Sequence, residues 1–208
     1  MADFYIKKHE NFIESLKLMD QIKIMKNEYI LHDSTHKSDS TLKQVFPKGI
    51  IQFYHQFKSL HISWKYNFES RKINFLDEQM DFIEGEFNLL DKERFLEGIN
   101  GKALENDFDM LVNSMLRREL FPFEELPNEY LVCINRKTPD QIVFIDLDES
   151  KYFEIRIDFE SYMNCGYKCY FFYGWQKAIF LSSASHLNRL KHYLGQLIPG
   201  FNLNLDLP

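Results

Sequence analysis

The stretch that most constrains the fold of this chain lies past its middle, at residues 119–160. Two runs rich in Val, Ile, Phe and Tyr, at 130–135 and 141–146, flank the turn-forming sequence RKTPD. Two such runs separated by a short turn segment are typical of a β-hairpin. A third run of similar composition follows at 152–157. The sequence therefore predicts a hairpin with a five-residue loop and a further strand after it.

The same stretch carries the charge imbalance of the protein. It holds 11 acidic and 4 basic residues, a formal charge of −7, whereas the whole chain of 208 residues has a formal charge of −6. Proteins whose affinity comes from phosphate contacts need clustered Lys and Arg. The charge distribution therefore argues against nucleic acid as a partner and is compatible with a basic protein partner.

Length and composition predict one main domain with terminal additions. A chain of 208 residues with 45% hydrophobic content can build one sizeable core. We expect an N-terminal helical segment and polar loop at 1–41, a central core at 42–165, and an aromatic-rich helical extension at 166–208 that packs on the core. The first boundary rests on the sequence HDSTHKSDST, which is polar and lacks apolar periodicity.

The sequence predicts a cytoplasmic protein without contact with a membrane. No uninterrupted apolar run approaches the roughly 18–20 residues of a membrane span. The N-terminal sequence MADFYIKKHENF lacks the apolar centre of a signal peptide. The three cysteines, Cys133, Cys165 and Cys169, are odd in number and too sparse for a disulfide scaffold, which fits a reducing compartment.

Apolar spacing and capping residues predict the other elements. Helical spacing indicates one helix, or two, between residues 4 and 31, although 29–31 suits a short strand equally well. The segment 168–181 is apolar nearly all round, so we favour a helix there and keep a buried strand as the alternative. Five other helices are expected, at 47–59, 92–97, 107–116, 159–164 and 186–197. An Asp or Ser that can act as a cap precedes three of them. The further strand candidates are 60–68, 72–76 and 82–90.

Asp146 and Asp148 are the residues most suggestive of chemistry. Two carboxylates two positions apart on a strand point to the same face and could bind a divalent cation through oxygen ligands. The alternative is that both are ordinary turn residues at the end of a strand.

Other signatures of catalysis are missing from the sequence. None of the seven histidines forms the two-His-plus-Glu pattern of a zinc protease, and Cys165 and Cys169 lack the spacing of a redox or zinc motif. The chain also has no Gly-rich phosphate loop and no Gly-x-Ser-x-Gly element. We therefore predict a protein that is not an enzyme and that binds no metal or cofactor, and we rank a metal-dependent hydrolase or transferase that uses Asp146 and Asp148 as the last alternative.

Several segments between about residues 43 and 165 occur in a recognisable order, namely FPKGIIQFYHQF, EGEFNLLDKERFLEG, LFPFEELPNEYLVCIN, QIVFIDLDES and DFESYM. The most telling part is FPFEEL ahead of one strand, followed by a second strand that ends in Asp. Together these segments resemble the SUKH superfamily, the group of Knr-like domains. The resemblance implies a single α+β domain with a mixed or mostly antiparallel sheet covered by helices.

The resemblance also implies a function in protein binding. Many members are bacterial immunity proteins that neutralise the toxins of competition systems, and another branch contains regulators of cell-wall synthesis. We therefore hypothesise that this protein binds a cognate toxin domain, for example a basic nuclease, with an intracellular scaffold or regulatory module as the alternative. Acidic residues would steer a basic toxin to its binding site, although they equally suit a solvated set of turns. The candidate contact residues, all expected in turns or at strand ends, are Glu124, Glu125, Glu129, Asp140, Asp148 and Glu149.

Overall fold

A computed structural model describes residues 3–31, 46–70, 73–76, 83–100, 118–127 and 129–203. The strands in these residues form one seven-stranded sheet, in which they lie in the order of the chain. They are β1 Ile22–Leu31, β2 Phe57–Tyr66, β3 Glu84–Leu89, β4 Leu120–Leu126, β5 Tyr130–Asn135, β6 Ile142–Asp146 and β7 Lys151–Ile155. The helices are α1 Phe4–Lys17, α2 Lys48–Gln56, α3 Lys92–Glu97, α4 Phe159–Lys168, α5 Trp175–Phe180 and α6 Ala184–Leu197, and a 3₁₀ turn, Gly98–Asn100, follows α3.

The α+β class predicted from the sequence is confirmed. From β3 to β7, each strand pairs antiparallel with the next. The chain forms two compact units, one made of Met1–Asn27, His61–Glu86 and Met163–Pro208 and the other of Glu28–Leu60 and Phe87–Tyr162. Strands β4 to β7 therefore lie entirely in the second unit.

The first unit is organised by aromatic side chains. The ring of Phe12 in α1 lies edge-on to the rings of Tyr167 and Phe171, at centroid distances of 5.4 and 5.6 Å. The indole nitrogen of Trp64 donates a hydrogen bond of 2.7 Å to the carbonyl oxygen of Tyr170. Gly85 permits this approach, because a Cβ at this position would lie 2.3 Å from Nε1 of Trp64. The high aromatic content of the chain is thus used for packing here.

The core of the second unit is built on the predicted hairpin. Every residue of β5 and β6 is buried, as expected for central strands. Leu131 pairs with Ile145 and Cys133 pairs with Val143, which places these four side chains on one face of the sheet. The hairpin prediction is confirmed, with the loop at 136–141.

Short-range signals also located several helices correctly. Asp91 caps α3, since its carboxylate accepts a hydrogen bond of 2.9 Å from the backbone N–H of Arg94. Gly98 ends this helix with a φ of 64°, a conformation that favours glycine. Asp158 accepts from the backbone N–H of Ser161 at 2.7 Å, at the start of α4.

Other expectations for the secondary structure are wrong. The first helix ends at Lys17, and the residues from Ile22 to Leu31 form β1 instead of a continued or second helix. Residues 73–76 are not a strand, and β2 begins at Phe57, directly after α2. The segment 168–181 is divided between the end of α4, a turn and α5. The loop expected at 32–41 and the helix expected at 107–116 lie outside the described residues.

Candidate partner-binding surface

The antiparallel register determines which turns of the second unit lie together. Leu126 pairs with Tyr130, and Tyr130 pairs with Asp146. The β4–β5 turn and the β6–β7 turn are therefore neighbours at one end of the strands. The backbone N–H of Leu147 donates a hydrogen bond of 2.8 Å to the carbonyl oxygen of Glu129, which links the two turns directly. The β5–β6 loop lies at the other end, about 17 Å away along the residues of β5.

Four of the predicted contact residues, Glu125, Glu129, Asp148 and Glu149, lie at the end formed by the two neighbouring turns. We call these four the acidic turn surface. Asp148 and Glu149 are exposed, and Glu125 and Glu129 are half-buried. Lys151 forms a salt bridge of 2.9 Å with Glu149, and this hydrogen bond raises the pKa of Lys151. Four carboxylates thus share this end with the ammonium group of Lys151.

The acidic turn surface has an aromatic neighbour that the sequence reasoning did not single out. Tyr152 follows Lys151 on β7 and is 40% exposed. It pairs in register with Ile145, one position from the end of β6. Tyrosine is enriched among residues that dominate binding energy at protein interfaces. The signal available in the sequence was a tyrosine at the second position of the strand that follows an acidic turn.

Asp140 is exposed but lies at the opposite end of the strands, in the β5–β6 loop. That end has mixed charge. Glu119 forms salt bridges with Arg136 and Lys137 at 2.9 and 3.3 Å. The structure therefore separates Asp140 from the four residues of the acidic turn surface.

The expectation that Glu124 is a surface residue in a turn or at a strand end is wrong. Its side chain is fully buried and lies within β4. Pro122 pairs with Cys133 but Glu124 pairs with Val132, so Phe123 is an extra residue in a β-bulge. Because the bulge interrupts the alternation of the strand, the side chains of Phe123 and Glu124 can both point into the core.

The buried carboxyl group of Glu124 is held by two tyrosine hydroxyls. Tyr162 of α4 donates to Oε2 at 2.6 Å, and Tyr130 of β5 donates to Oε1 at 2.9 Å. The ring of Phe123 also packs against that of Tyr162, at a centroid distance of 5.4 Å. A buried polar group is tolerated when it is hydrogen-bonded in this way. Glu124 therefore connects β4, β5 and the first turn of α4 inside the second unit.

Asp146 and Asp148 lie in different surroundings. Asp146 is buried, and its Oδ1 accepts a hydrogen bond of 3.2 Å from the backbone N–H of Glu149, whereas Asp148 is exposed. Asp146 thus has the role of a turn residue at a strand end, which was the alternative interpretation. Across the described ranges, no three His, Cys, Asp or Glu side chains are grouped so that they could bind a metal ion.

The three cysteines are buried free thiols. Burial raises the pKa of Cys133, Cys165 and Cys169, which keeps each of them protonated at neutral pH. Since the thiolate is the reactive form, these side chains are poor nucleophiles. They serve as small apolar residues of the core.

No family model, no curated protein and no solved structure matches this chain. Within the part of the chain that the structure describes, no helix has the length and apolar character needed to cross a membrane. Support for a function therefore comes from the acidic turn surface and from the order of sequence segments.

Proposed function

We propose that the protein is a cytoplasmic immunity protein that binds and neutralises a cognate toxin domain through the acidic turn surface, and that it is not an enzyme. The main support is the register of β4 to β7, which gathers four carboxylates at one end of the strands. The hydrogen bond between Leu147 and Glu129 fixes the two turns relative to each other. The resemblance to the SUKH superfamily supports the same class of function.

The charge of the surface favours a basic toxin such as a nuclease. Nucleases bind phosphates through Lys and Arg, so the substrate-binding face of a nuclease is basic. An acidic surface speeds the encounter with such a face and blocks access of the nucleic acid. Tyr152, exposed beside the carboxylates, would supply the aromatic anchor that charged groups alone do not provide.

If a toxin domain is encoded next to the gene of this protein, co-expression of the two tests the function. Cells that express the toxin should survive only when this protein is also present. Unchanged killing would refute the proposal. A scaffold or regulatory module would instead lack a neighbouring toxin gene and would bind several endogenous proteins.

The binding surface is tested separately with charge reversals. Asp148→Lys alone and Glu129→Lys alone should each slow association with the toxin at low salt and reduce the salt dependence of the rate, and the two combined should slow it about tenfold. Asp140→Lys is the matched control, because it reverses an exposed turn aspartate at the other end of the strands. If the control slows association as much as either reversal at the acidic turn surface, the toxin binds elsewhere, even where protection in cells persists.

A further inference from the structure

Strand β1 has the properties of an edge that accepts another strand. Among the strands of the described residues it is the first in the sheet order, and it is ten residues long, whereas strands typically have about five or six residues. All residues from Met25 to Leu31 are exposed, and among the apolar ones Ile30 is 56% exposed. Edge strands offer N–H and C=O groups for pairing, and long apolar edges are normally shortened or covered.

We propose that β1 pairs antiparallel with β1 of a second copy of this chain, about a two-fold axis at Asn27, and so forms a homodimer. In this register Lys26 lies opposite Glu28 of the second copy. Met25 lies opposite Tyr29 of the second copy, and Ile24 lies opposite Ile30 of the second copy. The two-fold axis generates each pair twice, which gives two opposite-charge pairs and four apolar pairs.

Charge selects this register over its neighbours. A slip of one residue would turn every side chain of one strand to the other face of the sheet, so the competing registers differ by two residues. One of these places Lys26 opposite Lys26 of the second copy, and the other places Glu28 opposite Glu28 of the second copy. Like charges directly opposite each other destabilise a strand pair. The register centred on Asn27 avoids both and pairs Lys26 of each copy with Glu28 of the other.

Self-complementarity also identifies the occupant of the edge. The sequence IKIMKNEYIL has Lys26 and Glu28 placed symmetrically about Asn27, with two apolar residues directly outside each of them. A second copy therefore meets the edge with charges and apolar groups already in matching positions. This surface uses residues of β1 and involves none of the four residues of the acidic turn surface.

The dimer is tested by sedimentation velocity of the full chain over a concentration series. The unchanged protein should pass from monomer to dimer as concentration rises. Lys26→Glu alone and Glu28→Lys alone should each raise the dimer dissociation constant roughly tenfold, because two opposite-charge pairs become like-charge pairs. The double variant K26E/E28K should restore the dissociation constant, since it exchanges the charges and keeps them paired.

Lys23→Glu is the matched control on the same strand. It makes the same change in charge, but Lys23 lies opposite Leu31 of the second copy, so the dissociation constant should change little. Thermal melting followed by circular dichroism shows that each variant remains folded. A protein that stays monomeric at every concentration overturns the proposal. So does a double variant that fails to recover, or a single reversal that behaves like Lys23→Glu.

Discussion

Removal of one hydroxyl group, by Tyr162→Phe, tests how the second unit is held together. The hydroxyl donates a hydrogen bond of 2.6 Å to Glu124, and both side chains are fully buried. The substitution keeps the ring and its packing against Phe123 but deprives a carboxyl oxygen of a donor. A buried group that loses its partner costs about 1–3 kcal/mol, and bonds to carboxylates lie at the upper end of this range. We therefore expect the free energy of unfolding to fall by about 2–3 kcal/mol.

The assay is urea unfolding followed by circular dichroism. Tyr130→Phe should lower the free energy of unfolding by less, about 1–2 kcal/mol. The hydrogen bond of Tyr130 to Glu124 is longer, at 2.9 Å, and the side chain of Tyr130 reaches the edge of the core. The double variant should depart from the sum of the two, since both hydroxyls bind one carboxyl group. Tyr152→Phe is the control, with an exposed ring and an expected change within about 0.5 kcal/mol. An equal effect of Tyr162→Phe and Tyr152→Phe would refute the reasoning.

Two further predictions concern the first unit. Gly85→Ala should destabilise the protein by about 2–3 kcal/mol in urea unfolding, because the added Cβ would collide with Trp64. Gly195→Ala in α6 should stabilise it by about 0.5–1 kcal/mol, because the added Cβ meets no atom there and alanine favours a helix more than glycine does. Equal effects of the two substitutions would contradict this. Burial lowers the pKa of His9 below 6.5, and this effect outweighs the hydrogen bond to Asn27, which raises the pKa. His9 therefore binds a proton more readily in the unfolded state than in the folded state. Its contribution to stability is therefore full above pH 6.5 and is lost as the pH falls from 6.5 through the lowered pKa. The free energy of unfolding should be measured for the unchanged protein and for His9→Gln at about pH 7.5 and about pH 5.5. The decrease between the two pH values should be smaller for His9→Gln, and equal decreases would contradict the role of His9.

The parts of the fold that the sequence predicted correctly depend on neighbouring residues. The hairpin of β5 and β6 follows from two β-type runs around a turn, and the caps Asp91 and Asp158 lie directly before their helices. The strand β1 could not be predicted in the same way. Its sequence has apolar residues at spacings that suit a helix as well as a strand, and the choice is made by pairing within the sheet.

The position of Glu124 shows why the candidate site was only partly predictable. In a regular strand Phe123 and Glu124 would point to opposite faces, so a buried phenylalanine implies an exposed glutamate. Pro122 lacks a backbone N–H and is a sequence signal for an irregular strand. The location of the bulge, however, depends on the pairing of β4 with β5, which joins Pro122 to Cys133 and Glu124 to Val132.

The acids of the central stretch therefore divide into two groups with different physical roles. The first group is buried and consists of Glu124, which holds β4 next to Glu125, and Asp146, which closes the β6–β7 turn. The second group consists of Asp148 and Glu149, which are exposed on that turn. Burial makes the hydrogen bonds of the first group important for stability. Exposure makes the charges of the second group weak contributors to stability but effective over a distance in water. The buried carboxyls thus hold the turns in place, and the exposed ones, of which Glu149 already pairs with Lys151, present negative charge on the surface that we propose for a partner.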